Sequence, residues 1–154
     1  MKHLLIAIAA ICLFSTDIYS QNHGSHFNLG LGLNGFGLPI SGSYDWGFRD
    51  DFNLGVGASI ALGVDDNNSS QSETAFGAGF FTQWYADRVL DIPDDFDAYA
   101  GLGIFYYTRS SADDLDLNLF IGGRYYFNDR LGFNLELGGG TALAGGRIGV
   151  SWRL

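Results

Sequence analysis

The chain has 154 residues, among them 23 glycines, 13 phenylalanines, 8 tyrosines, 3 tryptophans and only 2 prolines. Its formal net charge is −9, yet its mean hydropathy is slightly positive at +0.09. No cluster of Lys and Arg is present to neutralise phosphates, which excludes a nucleic-acid partner. The abundance of aromatic and aliphatic residues excludes a disordered chain. A helix-rich domain is disfavoured because each glycine inside a helix costs roughly 1 kcal/mol.

Residues 1–20 have the pattern of a secretory signal peptide. Lys2 gives a basic start, an apolar run covers residues 4–14, and the small residue Ser20 precedes the expected cleavage point. The run is too short for a membrane-spanning helix, which needs about 20 residues. We therefore expect a single mature domain of residues 21–154.

Cys12 is the only cysteine in the sequence, and it lies inside this apolar run. A lipoprotein signal would need a small residue directly before the cysteine, and Ile11 is not small. We expect no lipid anchor, and a mature chain without disulfides or cysteine-based metal sites.

The mature chain repeats a pattern in which apolar residues alternate with small or polar ones. This pattern predicts strands with two different faces. Eight such segments occur, at residues 27–33, 40–48, 52–62, 76–84, 96–106, 115–127, 131–137 and 148–154. Eight strands of about 10 residues would use about 80 positions and leave about 54 for connections.

The fourth segment has the least regular pattern, because Phe81 and Tyr85 interrupt it. A helix over residues 73–90 is the alternative there. Gly77 and Gly79 inside this stretch disfavour a helix, so we predict a strand.

The two faces of the predicted strands indicate where each one points. A soluble barrel would carry charged residues on its outer face, but here the second face is mostly Gly, Ser, Asn and Ala. Small residues suit the narrow lumen of an eight-stranded barrel, so the apolar face is predicted to contact lipid. Closure would also remove strand edges that hydrocarbon does not tolerate. The predicted fold class is all-β: an eight-stranded antiparallel up-and-down transmembrane β-barrel preceded by a cleaved signal peptide.

Many of the aromatic residues support this topology. If the mature N-terminus is periplasmic and the strands alternate in direction, one set of rings falls near the periplasmic strand ends. This predicted periplasmic aromatic belt consists of Phe27, Trp46, Phe48, Phe52, Trp84, Phe96, Phe127, Phe133 and Trp152. Such a belt is typical of transmembrane barrels. The same topology places tight turns at 49–51 and 128–130 on the periplasmic side of the membrane, and polar loops at 65–73 and 109–114 on the extracellular side.

Two stretches, residues 122–138 and residues 149–154, carry a resemblance to a known group of proteins. Over nearly all of residues 26–154 the chain resembles the small eight-stranded bacterial outer-membrane β-barrel proteins, the broad group of porin-like, OmpX-like and OmpW-like barrels. The resemblance implies a location in the bacterial outer membrane, contact with its lipid and lipopolysaccharide, and insertion by the barrel-assembly machinery.

The terminal stretch looks like the C-terminal strand that this machinery reads. Its candidate signal residues are Val150, Trp152 and Leu154. In such families the strand usually ends in an aromatic residue, whereas here it ends in Leu154.

Three charged residues of strands six, seven and eight are predicted to point into the lumen. They are Arg124, Glu136 and Arg147. The inward faces of strands six and seven must align across the hairpin at 128–130, so Glu136 should lie opposite Arg124 or one pair away from it. We interpret them as a structural lumen ion cluster in which each buried charge is compensated. The alternative is a selective or gated lumen.

Other motifs have simpler interpretations. Residues 30–35 match G-x-G-x-x-G, but they lie in an alternating strand rather than between a strand and a helix. Residues 65–70, and also Asp113, Asp114 and Asp116, could offer oxygen atoms to calcium. A calcium-binding hand would need Gly and Glu where Ser70 and Phe76 stand, so we favour solvated loops.

An enzyme is not expected. Barrels of this size that act on lipids need a base at the extracellular strand ends, but the mature chain has only His23 and His26, at its periplasmic N-terminus. We predict a monomeric, non-enzymatic protein without cofactor or metal, with a structural, surface-binding or narrow-passage role. The alternative is a secreted soluble barrel of the lipocalin or avidin kind that binds a small apolar ligand.

Overall fold

The computed structural model describes residues 24–32, 38–65, 72–109, 112–139 and 146–154. The predicted signal peptide, residues 1–20, lies outside the described residues, and so does most of the calcium candidate at 65–70.

The described residues form eight strands and one short helix, and all eight predicted strands are confirmed. The strands are β1 Ser25–Gly32, β2 Leu38–Arg49, β3 Phe52–Asp65, β4 Ser72–Tyr85, β5 Phe96–Arg109, β6 Ala112–Tyr126, β7 Leu131–Gly139 and β8 Arg147–Arg153. The helix α1 is a single turn, Asp87–Leu90, so the fourth segment is a strand that ends just before a helical turn. Within the described ranges, no helix has the length and apolar character needed to cross a membrane.

The eight strands close into one barrel in sequence order, and every neighbouring pair is antiparallel. The closing pair joins β1 to β8, with Phe27 opposite Trp152 and Leu31 opposite Ile148. Closure gives every strand two hydrogen-bonded neighbours. The predicted eight-stranded antiparallel up-and-down barrel is confirmed.

The barrel has two distinct ends. We call the end that contains Ser25, Arg153 and α1 the proximal end and the opposite end the distal end. The predicted turn at 49–51 is confirmed at the proximal end, where Arg49 pairs with Phe52. The turn at 128–130 is also there, and the Asn128 side-chain oxygen accepts hydrogen bonds from the backbone N–H groups of Arg130 and Leu131 at 3.0 and 2.9 Å.

The prediction of a distal loop at residues 109–114 is wrong. Arg109 pairs with Ala112, and the ladder continues through Thr108 with Asp113. Ladder hydrogen bonds join backbone groups, so polar side chains do not end a strand. Strands β3 and β4 likewise extend into the expected loop at 65–73, to Asp65 and from Ser72.

The exterior of the barrel is apolar, as the alternation predicted. Exposed fractions reach 73% for Phe80, 69% for Leu117 and 59% for Phe133. The residues between them in sequence point inward and include buried charges such as Arg124 and Asp45, both 0% exposed. The barrel is therefore inverted relative to a soluble protein: polar groups lie inside and apolar side chains outside.

The expectation of a lumen filled by small residues is incomplete, because several aromatic side chains also point inward. Each of six buried rings lies directly opposite a glycine of the neighbouring strand. The pairs are Phe81 with Gly55, Phe105 with Gly79, Tyr107 with Gly77, Phe120 with Gly101, Tyr99 with Gly122 and Tyr126 with Gly132. A Cβ atom at Gly101 would lie 2.2 Å from the Phe120 ring. The glycines thus provide the space that the rings occupy.

Candidate functional site

The lumen near the proximal end holds a set of buried polar side chains to which all eight strands contribute. We call it the proximal polar layer: His26 and Asn28 of β1, Asp45 of β2, Asn53 of β3, Gln83 and Tyr85 of β4, Asp97 of β5, Arg124 of β6, Asn134 of β7 and Ser151 of β8. Each is at most 4% exposed. Because side chains alternate in direction along each strand, these side chains point into the lumen. The register between neighbouring strands places them at similar distances from the proximal end of the barrel.

Arg124 is the centre of this layer, and its guanidinium group is fully buried. Its Nη2 atom donates to Asp45 Oδ2 at 3.0 Å and its Nε atom donates to Asn28 Oδ1 at 3.2 Å. Its Nη1 atom donates to the Tyr85 hydroxyl. The guanidinium carbon also lies 4.6 Å from the centroid of the Tyr99 ring, a cation–π contact. Arg124 therefore links four other strands across the lumen.

Asp45 is the main acceptor of the layer. Its carboxylate accepts hydrogen bonds from His26 Nδ1 at 2.9 Å, Asn53 Nδ2 at 2.8 Å and Asn28 Nδ2 at 3.1 Å. Together with Arg124, these donors compensate a carboxylate that would be costly to bury alone.

Asp97 is the second buried carboxylate of the layer, closer to the proximal mouth. Its Oδ1 atom accepts a hydrogen bond from Arg153 Nη2 at 3.2 Å. Its Oδ2 atom lies 3.7 Å from Arg124 Nη1 and 3.9 Å from His26 Nε2. Two arginines and two aspartates thus balance one another inside the proximal half of the lumen.

The three residues of the predicted lumen ion cluster are all buried in the lumen, but only Glu136 and Arg147 form an ion pair with each other. Arg147 Nη2 donates to Glu136 Oε1 at 2.7 Å, and both side chains are buried. Arg124 instead pairs with Asp45 and Asp97, although its β7 partner is Asn134, one pair from Glu136. Glu136 thus lies one inward pair away from Arg124, which is one of the two predicted positions, while the carboxylates that pair with Arg124 come from β2 and β5 across the lumen.

Tyr99 connects these two ion-paired groups. Its hydroxyl donates to Glu136 Oε1 at 2.8 Å while its ring faces the Arg124 guanidinium. Arg147 also donates to the Ser43 hydroxyl at 3.0 Å. The proximal polar layer and the Glu136–Arg147 pair consequently form one continuous network.

Sequence reasoning missed Asp45, Asp97, His26 and Tyr85 as members of this network. A usable signal was present, because each occupies an inward position within a few residues of the proximal end of its strand. Considering such positions on all eight strands, rather than charges on the last three, would have identified them.

On the distal side of the proximal polar layer, aromatic rings fill the lumen. We call Phe81, Phe105, Tyr107 and Phe120 the aromatic layer; each is at most 8% exposed. Phe81 and Phe120 meet edge to face with ring centroids 6.1 Å apart. A cavity of about 10 Å³ lies between the two layers and is lined by Ser43, Asn118, Glu136 and Arg147 as well as the rings. A cavity of that size holds about one water molecule.

The residues of the predicted aromatic belt lie together at the proximal end and point outward. Phe27 contacts Trp152 with ring centroids 6.1 Å apart, and Phe127 contacts Phe133 at 5.3 Å. Phe52 is the register partner of Trp84. Trp46, Phe48 and Phe96 complete the set, and Tyr125, which sequence reasoning missed, lies 6.5 Å from Phe96. Their role at a membrane interface stays a prediction.

The predicted assembly residues lie on the outer face of the last strand. Val150 pairs with Leu29 and Phe133, and Trp152 with Phe27 and Leu131. Leu154 follows the strand and is 76% exposed. Recognition of these residues by the barrel-assembly machinery is an untested prediction.

The other candidate motifs form no recognisable site in the described residues. Gly30 and Gly32 of the G-x-G-x-x-G match belong to the β1 ladder. Asp113, Asp114 and Asp116 belong to the β6 ladder. Over the described ranges, no group of three or more His, Cys, Asp or Glu residues is arranged to hold a metal ion.

The fold and the lumen define a class of protein: a closed eight-stranded up-and-down barrel with an apolar exterior and an ion-paired interior. Among solved structures, the N-terminal β-barrel domain of Pseudomonas aeruginosa OprF is similar, with a TM-score of 0.58 and 16% identity over 87% of this chain and 100% of that domain. This likeness shows a shared fold.

The attachment invasion locus protein Ail of Yersinia pestis also aligns, with a TM-score of 0.45 and 11% identity over 85% of this chain and 99% of Ail. No protein-family model matches the chain, and no curated protein matches it by sequence.

Proposed function

We propose that this chain is an integral, monomeric, non-enzymatic protein of the bacterial outer membrane, exported with residues 1–20 as its signal peptide. The observation that carries the proposal is the apolar outer face of a closed barrel whose charged groups are compensated inside. Monomeric soluble proteins rarely expose contiguous apolar patches larger than a few hundred Å². In lipid, the same surface is favourable, and closure satisfies the backbone of every strand.

The closed lumen favours a structural or surface-binding role over the passage of solutes. Arg124 and Tyr85 are 0% exposed and block the proximal half, and the cavity above them holds about one water. Opening a path would require separating buried ion pairs, which is costly.

The alternative function, a soluble lipocalin-like or avidin-like carrier, needs a roomy apolar lumen. Small-molecule pockets have volumes of roughly 300–1,000 Å³, whereas the lumen cavity between the two layers measures about 10 Å³. We therefore favour the membrane barrel.

Membrane location and orientation can be tested together. An epitope inserted in the connection at 66–71 should react with antibody on intact cells. The matched control, the same epitope in the 128–130 turn, should react only after the outer membrane is permeabilised. The protein should require detergent for extraction and change its gel mobility on boiling. A folded protein that stays soluble without detergent would refute the proposal.

A further inference from the structure

The outer face of the barrel carries a groove of about 670 Å³ between β4 and β7. We call it the lateral groove. Its floor consists of small residues on two neighbouring strands, Ala98 and Ala100 of β5 and Gly123 of β6, and Gly123 is the register partner of Ala98. Further along β5 the outward positions hold Leu102 and Ile104, which are 48% and 50% exposed. The groove therefore results from small side chains at neighbouring positions of two strands.

Large apolar side chains form the walls of the lateral groove. Trp84 of β4 lies opposite Ala100 in the register, and Leu135 of β7 lies opposite Gly123. A row of three rings, one each from β5, β6 and β7, borders the proximal end: Phe96, Tyr125 and Phe133. Towards the distal end, the groove continues into a second depression of about 240 Å³ that shares Ala100 with it. The result is an elongated apolar groove that starts at the predicted aromatic belt.

The width of the lateral groove decides what can occupy it. Neighbouring strands lie about 4.8 Å apart, and the small residues of the floor occupy two strands. An α-helix with its side chains has a diameter of about 10–12 Å, so it would rest on the walls without reaching the floor. A single alkyl chain is narrow and flexible enough to lie along the floor. The volume also lies within the range of about 300–1,000 Å³ that is typical of small-molecule sites.

The position and the charge of the entrance indicate which lipid supplies the alkyl chain. The entrance is at the proximal end, which is periplasmic in the proposed orientation, so the periplasmic leaflet is the source. Asp94 and Asp95 directly precede Phe96 at this entrance, and both are exposed. The Asp95 carbonyl oxygen accepts a hydrogen bond from the backbone N–H of Tyr126 at 2.8 Å, which fixes Asp95 beside the end of β6. Two carboxylates attract a headgroup with an ammonium group and repel an anionic headgroup.

We propose that the lateral groove binds one acyl chain of a glycerophospholipid of the periplasmic leaflet, with an ethanolamine headgroup beside Asp94 and Asp95. The inference rests on the proposed location in the outer membrane and adds a specific site to it. The bound chain fills the depression over Ala98, Ala100 and Gly123, where it makes the van der Waals contacts that the small side chains leave open. The lipid thereby becomes a fixed part of the outer surface of the barrel.

Trp84 provides a spectroscopic reporter in the wall of the groove. The chain has three tryptophans, so combining Trp46→Phe with Trp152→Phe leaves Trp84 alone. This protein, extracted in detergent from membranes of cells that export the full chain, is placed in vesicles of phosphatidylethanolamine and phosphatidylglycerol in equal amounts. Either one lipid or the other carries brominated acyl chains, which quench a tryptophan on contact. Brominated phosphatidylethanolamine should quench Trp84 several-fold more than brominated phosphatidylglycerol.

Substitutions in the groove separate the contribution of the acyl chain from that of the headgroup. Ala98→Phe fills the floor and should make the two quenching values equal. The matched control is Ala78→Phe, the same change at an exposed position of β4 between Ala58 and Tyr106, and it should keep the preference. Asp94→Asn combined with Asp95→Asn should reduce the preference for phosphatidylethanolamine. Ala98→Leu, a smaller change, is measured in parallel, and heat-dependent gel mobility shows that each variant is folded.

Native mass spectrometry of the detergent-extracted protein supplies a second readout. The unaltered protein and Ala78→Phe should each retain a phospholipid that Ala98→Phe does not. Equal quenching by the two brominated lipids before the groove is filled, or retention of the phospholipid by Ala98→Phe, would overturn the inference. Retention of lipid A instead, or a mass that corresponds to two copies of the chain, would also overturn it. Detergent extraction and epitope exposure do not depend on these outcomes, so failure of the inference and failure of the proposed function are distinguishable.

Discussion

The two layers of the lumen fill the same barrel in different ways. In the aromatic layer, each ring lies opposite a glycine on the adjacent strand, as Phe120 does with Gly101. In the proximal polar layer, hydrogen-bond partners come from across the lumen: Arg124 of β6 donates hydrogen bonds to Asp45 of β2 and Asn28 of β1. The aromatic layer is therefore a set of local pairs, and the polar layer is one network.

This difference teaches where each layer is vulnerable. A local pair can be disturbed and repaired by changing its two members, because their contact is mainly between themselves. In a network, several donors share two carboxylates, so removal of the central side chain weakens all of their contacts at once. The following predictions test this contrast, from the largest expected effect to the smallest.

Removing the Arg124 side-chain charge should be the most damaging change. Arg124→Met leaves Asp45 and Asp97 buried without their shared cation, and breaking a buried pair costs about 3–5 kcal/mol. Urea-induced unfolding of the barrel in lipid vesicles should show this loss. Arg130→Met, at an exposed position in the 128–130 turn, is the control, and this variant should unfold like the unaltered protein. Equal stability of the two variants would contradict the role of Arg124.

Glu136→Ala should have the next largest effect. It leaves Arg147 and the Tyr99 hydroxyl without their acceptor, Glu136 Oε1, and should cost about 3 kcal/mol. Solute flux into liposomes should stay unchanged, because the Arg124 network below and the aromatic layer above still close the lumen. An increase in flux at unaltered stability would support a gated lumen instead.

Gly101→Ala should destabilise the barrel by about 1–3 kcal/mol, because the added methyl group would overlap the Phe120 ring. Combining it with Phe120→Leu should recover part of this loss, since the smaller side chain leaves space. Thermal unfolding of both single variants and the double variant gives the coupling energy. Additive losses would show that the two residues do not act as a pair.

Much of the fold follows from the sequence because alternation is a local property. The pattern at 115–127 predicts a strand with Leu117 and Leu119 outward, and both are exposed. The inward face was harder to interpret, because Phe81 and Tyr85 looked like interruptions of the β4 pattern. They are lumen residues: Gly55 provides the space for the Phe81 ring, and the Tyr85 side chain is buried in the proximal polar layer, where its hydroxyl accepts a hydrogen bond from Arg124.

The polar network could not be predicted in the same way. The register of β6 and β7 places Glu136 near Arg124, and that part of the reasoning depends only on adjacent strands. Which carboxylate binds Arg124 depends on distances across the lumen, set by closure of the whole barrel. Asp45 lies 79 positions away in sequence and still contacts it.

The smallest effect is expected for an ion pair outside the barrel. Arg88 in α1 pairs with Asp51 in the β2–β3 turn, but the Arg88 side chain is 66% exposed, in contrast to the buried Arg124. Exposed pairs contribute about 0.2–1 kcal/mol because water and salt screen them. Arg88→Ala should therefore shift the urea midpoint only slightly, and the shift should vanish at high salt, whereas the Arg124→Met loss should persist there. A loss as large as that of Arg124→Met would mean that burial does not distinguish the two pairs, and the contrast between lumen and surface would fail.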